Sequence, residues 1–236
     1  MLEKNTDPLF LFRWQKDADG YDFASDGLSI VRRGGRMVPV DVVAQDPPLH
    51  TVFAGLTNQV NGAEDERPLN NAGPFHLRRF PTMSAAILEF VREFGFLGSS
   101  TWGANAESEP LDYIEKRSVH LLLFLDVFRA PSVATLGLIA EKINRIAPPM
   151  QIQLAAGRQG TYRIVISPQS LAAWMWLRVA QDFQSGINWS GHPCKQCGEI
   201  IGRGPGGKRA HAQFCSNQCR TYFNRTKAQS RKGAKK

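Results

Sequence analysis

Every cysteine in the chain lies between Cys194 and Cys219, in two pairs spaced Cys194-x2-Cys197 and Cys215-x3-Cys219. The apolar residues around them (Ile200, Ile201, Phe214, Tyr222 and Phe223) are too few to hold a unit of this size together by burial. Two thiol pairs converging on one ion can do it instead. The first pair sits on a tight turn, with Gly198 directly after Cys197, where a knuckle needs a positive φ. The second pair is spaced i, i+4 and falls on one face of a helix, so both sulfurs reach the same point. Ser216 stands where a helix cap belongs, and the first-turn N–H groups favour the thiolate of Cys215. Four sulfur ligands make a closed tetrahedral site for Zn²⁺, with no open position for chemistry. An exchangeable dithiol is the competing reading of the CxxC pair. The second pair and the absence of a thioredoxin-like βαβ setting weigh against it. With four cysteines filling the coordination sphere, His192 and His211 read as spectators or weak phosphate donors.

Charge is distributed unevenly around this cluster. The formal net charge is +8, yet residues 192–236 hold 11 Lys and Arg against the single acid Glu199, a balance of +10. The preceding 191 residues carry 18 basic and 20 acidic side chains, or −2. A near-neutral body with a basic end points to a polyanion as partner for that end. Four thiolates with Zn²⁺ contribute −2, which leaves the end at about +8. Lys208 and Arg209 fall on the loop between the cysteine pairs, Arg220, Arg225 and Lys227 on the expected helix, and Arg231 and Lys232 at the start of the tail. A fixed basic helix followed by a basic tail suits phosphate-backbone binding, with DNA the expected nucleic acid. Few polar side chains, Asn224 among them, could read bases.

Upstream, 42% hydrophobic content with 14 Phe and 5 Trp supplies a sizeable core. Runs at 9–14 and 37–43 read as strands, with the GYDFASDG and RRGGR stretches as turns. Pro47-Pro48 open a short helix through Leu56, and residues 58–81 read as a long loop. Four helices are then expected. One carries Ile87, Phe90, Val91 and Phe94 from a Thr82 or Ser84 start to a Gly95 stop. A second begins at Ser108-Glu-Pro and continues to about Phe128; it is apolar nearly all round and therefore central, with His120 as a hydrogen-bonded core residue. A third spans about 132–146 from a Ser132 cap, and a fourth runs from Ser167-Pro168 to Ser185-Gly186 with Trp174 and Trp176 in packing roles. The segments QIQLA and TYRIVI, around AGRQG, read as a β-hairpin. The fold class is therefore α+β: a mainly helical domain over residues 1–186 with short β elements, expected to fold without the metal. A small zinc-bound unit over 187–228 and a basic tail over 229–236 follow.

CKQCG, a glycine-rich loop and QFCSNQCR opening a helix together resemble a treble-clef zinc finger. The FCSxxCR run is similar to that of the bacterial gyrase-inhibitor finger and of C-terminal fingers in bacterial proteins such as the CGNR-type regulators. That resemblance covers 192 to about 228 and implies Cys194, Cys197, Cys215 and Cys219 as zinc ligands. Beside the DNA-binding reading that the charge gives, as for a bacterial transcription regulator, the gyrase-inhibitor likeness suggests an alternative: an adaptor or inhibitor whose finger docks an acidic protein surface. After Cys219 this chain reads Arg220-Thr-Tyr-Phe-Asn-Arg, and its helix is basic.

Enzyme readings find little purchase. Gly202 to Gly207 formally matches GxGxxG, but no acid follows Glu199, so a dinucleotide fold lacks its ribose ligand. The ββα-metal nuclease chemistry needs a histidine base beside further metal ligands, which His192, His211 and Asn217 do not supply. The stretch Val119 to Phe128 is too short to span a bilayer and Asp126 interrupts it. The first ten residues do not read as a secretory leader. The expectation is a cytoplasmic, non-enzymatic, zinc-dependent binding protein with no membrane partner.

Overall fold

The computed structural model describes residues 14–42, 45, 47–60, 74–98, 106–127, 150–156, 162–187, 193–204 and 207–233. Seven strands and five α-helices fall within them: β1 (Trp14–Asp17), β2 (Tyr21–Phe23), β3 (Ser29–Arg32), β4 (Met37–Val40), α1 (Leu49–Ala54), α2 (Met83–Phe94), β5 (Ser108–Pro110), α3 (Leu111–Val127), β6 (Met150–Ala156), β7 (Tyr162–Pro168), α4 (Leu171–Gln184) and α5 (Asn217–Gly233). Short 3-10 turns occupy Gly55–Gln59 and Phe75–Leu77. The fold is α+β, with a helical core flanked by short sheets. The expected helix at 132–146, the hairpin turn and most of the loop at 58–81 lie outside the described residues.

The start and stop signals of α2 act as read. Thr82 Oγ1 accepts the N–H of Ala85 at 3.2 Å and starts α2. Gly95 ends it at φ 86°, where a Cβ would come within 2.9 Å of the Gln15 carbonyl. Lys16 Nζ reaches the last carbonyls of α2, Arg92 at 3.2 Å and Glu93 at 3.0 Å, placing a cation at the helix C-terminus. Arg92 in turn donates to the Tyr21 carbonyl and pairs with Asp22 at 2.9 Å. These contacts clamp α2 onto β1 and β2.

Several short elements differ from the sequence expectation. Tyr21–Phe23 is a strand rather than part of a turn, and Ser108–Pro110 is a strand rather than a helix start. Both join β3 in one antiparallel sheet, with Tyr21 opposite Arg32 and Ser29 opposite Pro110. The fourth helix begins at Ser170, whose Oγ accepts the N–H of Ala173 at 3.0 Å; Ser167-Pro168 instead closes β7. Among the described side chains, helix α3 buries Ile114, Ser118, Leu121 and Leu125. Leu123 is 56% exposed and His120 is exposed, so the helix is not buried nearly all round and that histidine is not a core residue.

The core gathers α1, α2, α3 and α4. Phe53, Phe75, Phe80, Phe90 and Phe94 form a chain of ring contacts with centroids 5.0–5.7 Å apart. Trp174 and Trp176 are buried in the same core, in packing roles. Ser118 Oγ donates to the Phe53 carbonyl at 2.7 Å, and His50 Nε2 lies 2.9 Å from Asp182 Oδ2, tying α1 to α3 and α4. Glu109 on β5 is buried, and its carboxylate accepts the N–H groups of Leu97 at 2.8 Å and Gly98 at 3.0 Å.

Burial pushes the Glu109 carboxyl up to about 7 against the lowering effect of those two donors. Its folded-state value lies above the ordinary 4.5, so the stability it contributes is fully present below that pH and is lost as pH rises through 7. Melting temperature is expected to fall between about pH 5 and 8, and Glu109→Gln to remove up to about 3 kcal/mol of that dependence. Parallel slopes for the two chains in thermal melts across this range would contradict it.

Candidate metal centre

The four cysteines converge although 17 residues separate the pairs. Cys197 Sγ lies 3.5 Å from Cys215 Sγ, which is 3.4 Å from Cys219 Sγ, and Cys219 is 3.6 Å from Cys197. All four sulfurs lie within 4.8 Å of one another, and all four residues are buried. A disulfide would bring two sulfurs to about 2.05 Å. Sulfurs about 2.3 Å from a central metal define a tetrahedron with edges of about 3.8 Å. The cluster has the dimensions of a metal cage, and it can ligate a metal ion.

Local geometry explains the convergence. Cys194 N–H donates to the Glu199 carbonyl at 2.8 Å, and Gly198 N–H donates to the Cys194 carbonyl at 2.9 Å, closing the turn that aims the first pair. Gly198 has φ 81°, a conformation that a side chain would strain. Ser216 Oγ accepts the Cys219 N–H at 3.1 Å and caps α5. That cap fixes the helix phase that puts Cys215 and Cys219 side by side. Between the pairs, Lys208 N–H donates to the Gly202 carbonyl at 2.8 Å, so the glycine-rich stretch is a closed loop.

Protonation fits the same role. Hydrogen bonds from Cys197 and then Cys215 hold the Cys194 thiol down to about 6, and bonds from Cys194 and its neighbours lower Cys219 as well. Cys197 and Cys215 are pushed up, in both cases first by hydrogen bonding to Cys194, with Cys219 and burial acting in the same direction. Four buried thiolates this close repel one another, and a central cation stabilises all of them together. The donor set therefore fits a divalent, sulfur-seeking ion.

The centre is built into the body. Leu77, from the second 3-10 turn, packs with the four cysteines and Ile201, while Ile200 belongs to the main core. Arg79 is buried and its guanidinium donates to the Cys197 carbonyl at 3.4 Å. His76 Nε2 lies 3.4 Å from Ser216 Oγ. Glu199, 1% exposed, packs its carboxylate onto Gly55, where a Cβ would overlap it. Burial and then the neighbouring Cys194 charge push the Glu199 carboxyl well up, with Arg79 opposing them. The sequence reading gave neither Arg79 nor Glu199 a role at the centre. The available signal was that Glu199 is the one acid in a basic segment.

Of the expected phosphate contacts, Lys208, Arg209, Arg220, Arg225 and Lys227 are exposed. Arg231 and Lys232 lie on the last turn of α5, which continues to Gly233, so the start of the expected tail is helical. His211 is exposed and stands outside the cluster, and His192 lies outside the described residues. No helix among the described residues is long and apolar enough to cross a membrane. No protein-family model matches the chain, and no curated protein matches it.

Because Glu199 occupies the space above Gly55, the two positions are expected to be energetically coupled. Gly55→Ala should destabilise the whole chain by about 1–3 kcal/mol, through displacement of the carboxylate. Introduced into Glu199→Ala, the same change should cost less than about 0.5 kcal/mol, because the overlap is gone. Equal costs in both backgrounds, measured by denaturant unfolding, would show that the seam is not closed this way.

Proposed function

We propose that this chain is a zinc-dependent DNA-binding protein, a transcription regulator whose C-terminal treble-clef finger presents a basic helix to the duplex. The observation that carries the reading is the charge partition: +10 in residues 192–236 against −2 in the preceding 191, with six of those cations, Lys195 included, on exposed positions around the cysteine centre. Zn²⁺ would be held by Cys194, Cys197, Cys215 and Cys219, and its contribution is structural, since four sulfurs leave no vacant coordination position. The ion fixes the start of α5, and the fixed start aims Arg220, Arg225 and Lys227 outward. Lys208 and Arg209 on the loop, with Arg231 and Lys232 at the far end of α5, extend the cationic track. The body, residues 1–186, supplies the seat for the finger through Gly55, Leu77 and Arg79.

Two measurements test this. Purified protein is expected to hold one equivalent of zinc per chain, lost together with Cys219→Ser; metal content below about half an equivalent, or an iron–sulfur chromophore, would refute the metal assignment. Binding to random-sequence duplex should weaken with salt along a log–log slope of about −4 to −7, for five to eight phosphate contacts. Replacing Arg220 and Arg225 by Gln should flatten that slope by about two. Affinity that ignores salt, or survives both changes, would move the reading to an adaptor docking an acidic protein surface.

A further inference from the structure

Helix α5 is anchored at its start. Cys219 is buried, Tyr222 and Phe223 are half-buried, and Phe223 packs on Phe214 with ring centroids 5.3 Å apart. Beyond Phe223, the side chains of Asn224, Arg225, Thr226 and Lys227 are all exposed, while the helical backbone continues to Gly233. The backbone thus runs ten residues beyond Phe223, or about 15 Å of helix. That stretch carries no acid with which its cations could pair along the helix. A polar helix with these four exposed side chains and no internal ion pairs is suited to a partner of opposite charge.

The arrangement around the helix axis is more specific than its net charge. At about 100° per residue, Asn217, Thr221 and Asn224 fall within one sector of about 60°. Arg220 and Lys227 lie about 70–90° to one side of that sector, and Arg225 about 70° to the other. All six are exposed. The Thr221 hydroxyl donates to the Asn217 carbonyl at 3.0 Å, so its methyl group is what remains to meet a ligand. Among the described residues, neither Asn217 nor Asn224 spends its side-chain amide on a protein hydrogen bond. A stripe of short amide and methyl groups between two rails of cations is complementary to the major groove, with base edges on its floor and a phosphate strand on each wall.

Resting on the DNA-binding reading above, we propose that α5 is a recognition helix that reads base edges in the major groove. Asn217 and Asn224 pair with N6 and N7 of adenines, and the Thr221 methyl packs on a thymine methyl between them. Arg220 and Lys227 hold the phosphates of one strand and Arg225 those of the other. Seven residues separate the two asparagines, about 10.5 Å along the axis, which corresponds to about three base-pair steps.

The test is selection of bound duplexes from a random library by the zinc-loaded full chain. The expected product is a site with A·T pairs at two positions about three steps apart. The selected site should bind at least tenfold more tightly than random duplex. Asn217→Ala with Asn224→Ala should bring its affinity down to that for random duplex. Asn224→Ala alone, at an exposed position of the helix, should relax preference at one of the two positions, and zinc content confirms that both variants keep the folded centre. DNA bound with no enriched sequence, or enrichment that survives loss of both asparagines, overturns the recognition helix and leaves phosphate binding standing. No DNA bound at all, or binding confined to RNA, overturns both readings together.

Discussion

Four buried sulfurs within a few ångströms of one another are unstable as thiolates and of little use as thiols until a cation sits between them. The rest of the C-terminal third follows from that constraint. The knuckle at Cys194–Gly198 and the capped start of α5 are each weak structures alone, one a turn and the other a helix with almost no apolar face. Joined at one ion they would fix each other, because the sulfur positions demand both the positive φ at Gly198 and the helix phase set by Ser216. The direction of α5, and with it the placement of every cation proposed to meet DNA, is set at that one point.

The body meets this centre with charge as well as shape. A site of four thiolates and a divalent ion would retain negative charge, and the carboxyl of Glu199, two residues from Cys197, is held back from ionising beside it. Arg79 acts against both effects, donating to the Cys197 carbonyl and favouring ionisation of Glu199. Taking such groups out of water costs free energy that their mutual attraction only partly offsets. Leu77 and Ile200 carry the apolar side of the same seam, so polar and hydrophobic contacts hold the cysteine segment in one orientation.

The four-cysteine cluster was legible in the sequence because its determinants are local: the spacing of the pairs, a glycine after the first and a serine before the helix. The cap at Thr82 and the stop at Gly95 were legible for the same reason. What escaped was set at a distance. A three-residue strand has no periodicity to display, and Ser108–Pro110 becomes a strand only because β3, far back in the chain, offers it an edge. Ser170 outcompetes Ser167 as a cap because the chain through Pro168 is already engaged in the β6–β7 ladder. The apolar appearance of α3 concealed that Leu123 and His120 lie outside the core. Glu199 and Arg79 belong to the same class, since nothing near either in sequence reveals that they share a seam.

The burial of Glu199 against Gly55 also bears on how freely this cysteine segment could be exchanged between proteins. Small metal-binding units are commonly imagined as cassettes, able to be cut from one chain and spliced to another. This segment carries on its inner side a carboxyl group and an isoleucine shaped to a particular host. Transplanted onto a foreign scaffold, it would present a sticky apolar spot beside a carboxyl group released into water. A portable version would need positions 199 and 200 rewritten as neutral, water-compatible residues. The unit and its host have to change together.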